Sequence, residues 1–340
     1  MSETTTPNLA DPTVAANVLP PICEAIRRGQ RFLLSSHARP DGDSIGSQLA
    51  MAYALESLGK DVRIVNADPA PDHYREFPGV ERIEIAKQTN AEADVLIVME
   101  CSDLTRTGVE GLEGRFTINI DHHVGNRMYG TLNWFDESAA ACGEMVFDLI
   151  RALNVPLDLE IATHIYLAIL TDTGSFHHSN ITPRTFDICR QTVEAGVNPA
   201  AMARRVFDSN SFGKLKLIGA LLNSMELTDN GQLAVLYMDD AMLTATGCTH
   251  NDTEGIINLP LTAREIHAVV FFKVSASGDV RVSMRSKYDV DVRVVANEYG
   301  GGGHKNAAGF TVTGRLSEVK PRIVEQLSHA IADGLQTRPE

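Results

Sequence analysis

Between residues 31 and 196, short apolar runs alternate with stretches of helical period, and this alternation limits the fold more than any other feature of the chain. Residues 32–35, 62–66, 95–99 and 117–120 have the length and apolar character of buried strands, while Ile45, Leu49, Ala52, Leu55 and Leu58 recur at the spacing of one helix face. Strands separated by helices predict a parallel sheet, because a crossover must carry the chain back to the same end. The expected fold class is therefore α/β, with the apolar spacing through Leu153, Ile169 and Phe186 adding to the core. Each of these strands except the second runs directly into a polar cluster. Ligands of open parallel sheets bind beyond the carboxyl ends of the strands, so clusters distant in sequence should converge there.

The first cluster reads Ser36-His37-Ala38-Arg39-Pro40-Asp41-Gly42-Asp43-Ser44-Ile45-Gly46-Ser47. Pro40 pushes the residue before it toward extended backbone and delays the helix, and Gly42 lets the chain turn between two carboxylates. His37, Asp41 and Asp43 can then face one crevice. Taken alone, the cluster reads equally well as a polar loop with Ser44 as helix N-cap. Later clusters shift that balance. The third strand delivers Glu100-Cys101-Ser102-Asp103, the fourth delivers Asp121-His122-His123, and the helical pattern over 157–170 ends in Thr171-Asp172-Thr173-Gly174. Thr182 followed by Pro183 starts the next helix.

Beyond residue 196 the strand alternation stops, and residues 197–227 read as a helical linker. A second alternating region has strands near 233–238, 268–274, 280–285 and 309–312, and it carries Arg285, Ser286 and Gly300-Gly301-Gly302-Gly303-His304. A chain of 340 residues, 44% of them hydrophobic, can fill two cores, which gives domains over 17–196 and 228–340 and a loose polar stretch over 1–16. Cys23, Cys101, Cys142, Cys189 and Cys248 are scattered with no Cys-x-x-Cys pair, so neither a disulfide framework nor a thiolate zinc site is expected, and the setting reads as reducing and cytoplasmic. No apolar run approaches the ~20 residues that cross a bilayer, so no membrane partner is expected. The formal charge of −14 opposes binding to long nucleic acids but leaves room for a small phosphorylated substrate, because cations held in an acidic site reverse the local field. A homo-oligomer is compatible with the sequence.

Asp41, Asp43, Glu100, Asp121 and Asp172 would repel one another at a single sheet edge unless positive charge sat among them. Oxygen donors mixed with imidazoles suit Mn2+ or Mg2+ better than a structural zinc. Two such ions ~3.5–4 Å apart stabilise an in-line attack at phosphorus, so the expected chemistry is two-metal phosphoester hydrolysis.

The order His-x-x-x-Asp-x-Asp, acid, Asp-His-His, Asp, Gly-Gly-Gly-His runs from Arg31 to Val312 and closely resembles the DHH phosphoesterase superfamily. Within it, the chain is similar to the nanoRNase and pAp phosphatase branch, in which a parallel-sheet DHH domain is joined to a smaller DHH-associated, substrate-binding α/β domain. Ile45-Gly46-Ser47, Thr171-Asp172-Thr173-Gly174-Ser175-Phe176 and Ser283-Met284-Arg285-Ser286 support the likeness. The resemblance implies that His37 and Asp41 hold one Mn2+ and that Asp43, His122 and Asp172 hold the other, with Mg2+ as the alternative ion. Glu100 stands where the family has a bridging aspartate. His123 would face the scissile phosphate, oriented by the Asp121 carboxylate. Arg285, Ser286, Gly301, Gly302, Gly303 and His304 would hold the far phosphate or nucleotide.

The implied substrates are RNA fragments of a few nucleotides, released as 5′-mononucleotides, and 3′-phosphoadenosine 5′-phosphate (pAp), which would lose its 3′-phosphate. A phosphodiesterase for cyclic or linear signalling dinucleotides and a catalytically weakened nucleotide-binding protein are the alternatives. The weakening would come from Glu100, one methylene longer than aspartate, and a slower but metal-binding site is expected. His177 and His178 read as solvated or hydrogen-bonded, His164 as structural and Asp103 as a turn residue. Lys287, Arg293 and Lys305 read as surface positions.

Overall fold

The computed structural model describes residues 12–336 apart from 209, 229, 254, 276 and 277, and the side chains of 12–16, 304 and 336 are outside it. Of the loose N-terminus expected over 1–16, residues 1–11 lie outside the described residues and Pro12 already opens a helix. The chain divides into two compact units, Met1–Ser209 and Asn210–Glu340.

The first unit runs α1 (Pro12–Arg28), β1 (Arg31–Ser35), α2 (Gly42–Ser57), β2 (Asp61–Asn66), β3 (Glu84–Ile85), β4 (Val95–Met99), β5 (Thr117–Asp121), β6 (Leu132–Phe135), α3 (Cys142–Ala152), α4 (Leu159–Asp172), α5 (Pro183–Glu194) and α6 (Pro199–Phe207). Its strands pair in parallel in the order β3-β2-β1-β4-β5-β6. Alternate residues go to opposite faces. Phe32, Leu34, Ile97 and Met99 pack with the helices, whereas Leu33, Leu96 and Val98 pack with Val109 and Leu112 from the connections. Both faces are dry, which is why the strand sequences are almost wholly apolar. The second face is closed by loops and short 3-10 turns, so the expected strand–helix alternation does not hold between β2 and β5. β3 and β6 carry no continuous apolar run that would reveal them, although Trp134 of β6 is buried.

α2 is buried almost all round and packs against α3 and α4. Gly42 and Gly46, one turn apart, make this approach feasible. A Cβ on Gly42 would lie 2.4 Å from Thr171 Oγ1 and one on Gly46 would lie 2.5 Å from the His164 carbonyl oxygen, while one on Gly143 of α3 would meet Ala168 Cβ at 2.4 Å. Gly42 is thus the first residue of α2, needed for packing, and not a turn between carboxylates. The chain turns earlier, at Arg39, whose φ of 56° departs from the extended backbone expected before Pro40; its N–H donates to Asp68 Oδ2 at 2.9 Å. Two expected core residues are corrected. Leu58 falls beyond the end of α2, just before Gly59 turns the chain, and Phe186 faces outward from α5, stacked on Phe176 with ring centroids 5.6 Å apart. Thr182 does cap α5, accepting from Thr185 N–H.

The second unit runs α7 (Phe212–Asn223), β7 (Glu226–Leu227), β8 (Leu233–Asp239), α8 (Asp240–Thr246), β9 (Ala268–Val274), β10 (Asp279–Ser286), α9 (Val292–Glu298), β11 (Gly302–His304), β12 (Ala307–Thr313) and α10 (Leu316–Gln336). Its sheet, β11-β12-β10-β9-β8-β7, is mixed, with β8 and β9 parallel and the other pairs antiparallel. Val270, Phe272, Val282 and Met284 pack with Val295, Ile323 and Leu327, and the opposite face sets Leu236, Val269 and Phe271 against Leu217, Leu221 and Leu243. The helices of the expected linker are shared out: α6 buries Met202 and Val206 in the first unit, and α7 buries Leu217 and Leu221 in the second.

Gly46→Ala should lower the stability of the chain by about 1–3 kcal/mol in urea unfolding, because backbone atoms of α4 occupy the space of the added methyl. Gly219→Ala is the matched control: nothing lies within 4 Å of its Cβ position in α7, so stability should be unchanged or higher.

Candidate metal centre

β1 pairs with β2 on one side and β4 on the other, so the order of the strands reverses between β1 and β4. Such a reversal leaves a crevice beyond the carboxyl ends of the two strands. β1 leads to His37, Asp41 and Asp43, β4 to Glu100, and β5 to Asp121, His122 and His123, while α4 ends at Asp172.

Each side chain is held by local chemistry. Asp41, not Ser44, is the N-cap of α2: its Oδ1 accepts from Ser44 N–H at 2.9 Å, leaving Oδ2 3.6 Å from His37 Nε2. His37 Nδ1 donates to the Ala38 carbonyl at 2.9 Å, which leaves Nε2 to accept from the Ser44 hydroxyl at 2.8 Å. Asp43 is buried; its Oδ2 accepts from Cys142 N–H at 2.6 Å and its Oδ1 from Gly143 N–H at 3.0 Å and Ser47 Oγ at 2.8 Å. α3 has no side-chain cap of its own, so Asp43 serves as that cap from 99 residues away. Asp121 is buried between His123 Nδ1 at 2.9 Å and Asn126 Nδ2 at 2.6 Å.

His122 is the hub. Its Nδ1 donates to the Ala139 carbonyl at 2.9 Å, so Nε2 faces Glu100 Oε1 at 3.3 Å, Asp172 Oδ2 at 3.5 Å and Asp43 Oδ2 at 3.9 Å. Glu100 Oε1 also lies 3.4 Å from His123 Nδ1. Its other oxygen, Oε2, is buried with no hydrogen-bond partner, and its backbone has a φ of 56°. Asp43, Glu100, His122 and Asp172 each offer a donor atom within 4.8 Å of the others, and Glu100, His122 and His123 form a second such group. A divalent cation fits this set: Glu100 brings a buried carboxylate with one oxygen left without a hydrogen-bond partner, and the carboxylate–imidazole donors would match a hard to borderline ion.

Crowding of the acids shifts their titration. Burial, followed by the charge of Asp43, holds the Glu100 carboxyl well above its usual range, and the same two causes push Asp172 up to about 7. Burial also raises Asp43. Burial works against a charge on His122, but Glu100, Asp43 and Asp172 outweigh it and lift its pKa to about 11. The proton on His122 thus occupies the place that a cation would take.

The sequence marked Ser47 only as part of the first motif, with no role, and did not point to Asn126 or the N-terminus of α3. Asn126 carried a faint signal, five residues after Asp121 in the same turn; the α3 contact carried none. His164 is buried and stacked on Tyr53, with ring centroids 5.5 Å apart, and Asp103 caps the 3-10 turn at Leu104–Thr107. His178 Nδ1 donates to the Asp172 carbonyl at 3.1 Å, and His177 is exposed.

The remaining candidates belong to the second unit. Arg285 at the end of β10 is half-buried and donates to the Met284 carbonyl at 3.0 Å; burial lowers its pKa, and no carboxylate among the described residues is set against it. Ser286 turns inward, donating to the Val290 carbonyl at 2.7 Å. Gly301 and Gly303 are required by sheet packing, since Cβ atoms there would lie 2.4 Å from the Gly309 oxygen and 2.3 Å from the Ala307 oxygen, whereas Gly302 has open space. The side chain of His304 is outside the described residues.

The DHH family N-terminal domain matches residues 31–169, and the DHHA1 domain matches residues 230–333. The bifunctional oligoribonuclease and PAP phosphatase NrnA of Thermus thermophilus is 33% identical over 86% of this chain and 87% of its own length. The chain belongs to the DHH family. The protein of the same name in Bacillus subtilis is 27% identical over 83% of this DHH chain and 89% of its own. The crystal structure of an exopolyphosphatase-related protein from Bacteroides fragilis shares the fold, with a TM-score of 0.85 at 24% identity over 92% of this chain and 96% of that one.

Cation binding at this DHH centre must displace the His122 proton and, near neutral pH, part of that on Asp172. Calorimetry with Mn2+ in buffers of different ionisation enthalpy should show release of at least about one proton, and affinity should rise between about pH 6 and 8. Heats that do not depend on the buffer would contradict the assignment.

Proposed function

We propose that this chain is a metal-dependent phosphoesterase that degrades RNA fragments of a few nucleotides to 5′-mononucleotides and removes the 3′-phosphate of pAp. The observation that carries this reading is the convergence of Asp43, Glu100, His122 and Asp172 beyond the DHH sheet, with Glu100 Oε2 unpartnered. The names of the relatives, which couple an oligoribonuclease to a PAP phosphatase, support it.

By this reading His37 and Asp41 would hold one Mn2+ and Asp43, His122 and Asp172 the other, with Glu100 as a further donor. Such cations polarise phosphoryl oxygens and lower the pKa of water. The chain's own residues orient and screen. The Ala139 carbonyl keeps the proton of His122 on Nδ1, and the Asp121–Asn126 pair keeps that of His123 on Nδ1, which leaves His123 Nε2 for a phosphate oxygen. Arg285, a half-buried cation with no carboxylate against it among the described residues, suits a phosphate of the substrate, with Gly302 as a further contact. The net charge of −14 works against long nucleic acids. The cytoplasm, with its pool of short RNA, is the proposed location; no described helix is long and apolar enough to cross a membrane.

The test is Mn2+-dependent turnover of a 5′-phosphorylated RNA dinucleotide, pAp and a cyclic dinucleotide. Cleavage of the first two and not the third is expected. Asp172→Asn should reduce turnover by more than about 100-fold, and it is a cleaner control than Asp43, which also caps α3. Turnover of the cyclic substrate alone would favour a signalling-dinucleotide phosphodiesterase. Ligand binding without any turnover would favour a weakened nucleotide-binding protein.

Glu100→Asp should retain Mn2+ binding and raise kcat. Unchanged kcat with unchanged Mn2+ affinity would show that the longer side chain costs the site nothing.

A further inference from the structure

The turn after β10 carries a bulky side chain where the backbone favours glycine. Val290 N–H donates to the Lys287 carbonyl at 3.4 Å, closing a turn whose first central residue, Tyr288, has a φ of 55°. Positive φ at that place is the mark of mirror-image turns, which Gly, Asn and Asp fill without strain and an aromatic residue does not. Burial does not compensate, because Tyr288 is 54% exposed. Its ring meets His267 edge-on, with centroids 5.9 Å apart.

The turn is held rigidly from beneath. Ser286 Oγ donates to the Val290 carbonyl at 2.7 Å, and Asn306 Nδ2 donates to Ser286 Oγ at 2.9 Å, to the Tyr288 carbonyl at 3.1 Å and to the Val290 carbonyl at 3.2 Å. Lys305 pairs with Asp289 at 2.6 Å on the flank. Ser286 and Asn306 therefore fix the backbone in its strained form and hold an aromatic ring at the surface. Strain maintained in this way, around an exposed side chain, marks a ligand contact more readily than a folding determinant.

The neighbours indicate which ligand. Arg285, three residues earlier, is a half-buried guanidinium with no carboxylate against it among the described residues, and so suits a phosphate. An aromatic ring presented three residues after a phosphate grip suits the base of a nucleotide. We propose that Tyr288 is a nucleobase platform: the base stacks on its ring while Arg285 holds an attached phosphate. This rests on the phosphoesterase reading and deepens it, by making stacking the means of base recognition. Every base offers a π-face, so all four should be accepted.

The experiment compares wild type, Tyr288→Gly and Tyr288→Phe on pAp, a 5′-phosphorylated RNA dinucleotide and an abasic analogue of pAp. Tyr288→Gly suits the turn and should unfold thermally at or above the wild-type midpoint. Its KM should nonetheless rise ~5- to 100-fold for the two substrates that carry bases, with kcat unchanged and the abasic analogue unaffected. Tyr288→Phe, which keeps the ring, should match wild type. An unchanged KM in Tyr288→Gly, or a loss shared equally by the abasic analogue, would overturn the platform and leave the phosphoesterase reading standing. Wild-type protein that turns over neither natural substrate would remove that reading, and the platform with it.

Discussion

One buried carboxylate joins the parts of the first unit that matter. Asp43 leaves α2 at its first turn, receives the buried N–H groups at the start of α3, which have no intrahelical partner, and presents an oxygen toward His122. A carboxylate at a helix N-terminus meets both unsatisfied donors and the positive end of the helix dipole, and this offsets part of the cost of burying it. Because the same side chain faces the metal centre, the packing of α2 on α3 and the placement of a donor atom are a single arrangement. The glycines of α2 serve that arrangement. Gly42 and Gly46 let α4 approach closely enough for Asp172, at its last turn, to reach the same histidine.

Of the seven non-glycine residues with positive φ among the described residues, three are candidate site residues or stand close to one in sequence. Arg39, Glu100 and Tyr288 all have φ near +55°, and none is glycine. Arg39 turns the chain into Asp41, Glu100 aims its carboxyl inward from the end of β4, and Tyr288 follows Arg285. Each conformation is held by neighbours: the Asp68 carboxylate at Arg39, the hydrogen bond from Glu100 N–H to the Ile120 carbonyl, and the Ser286–Asn306 pair at Tyr288. Loops anchored in this way keep donors in position before any ligand arrives.

Much of this was legible in the residues, for identifiable reasons. The apolar strands could be read because both faces of the first sheet are dry, and Thr182-Pro183 because capping is a local matter. The acids and histidines could be read because strand ends in a parallel sheet must converge. What escaped was set by contacts distant in sequence. The role of Gly42 depends on Thr171, the capping role of Asp43 on Cys142 and Gly143, and the outward turn of Phe186 on Phe176. β3 and β6 escaped because pairing, more than composition, makes them strands. Glu100 was legible as an acid at the right place, but its left-handed backbone was not, since nothing local announces φ in a glutamate.

The strand order also has a temporal side. Synthesis proceeds from the N-terminus, and the groups at this centre come from the start of α2, the ends of β4 and β5 and finally the end of α4. A nascent chain that has completed its sheet through β6 still lacks both α3, which steadies Asp43, and Asp172. The cation centre can close only after α4 has left the ribosome and docked on the two glycines of α2. Metal capture is then a late event that pulls the finished first unit toward its native state.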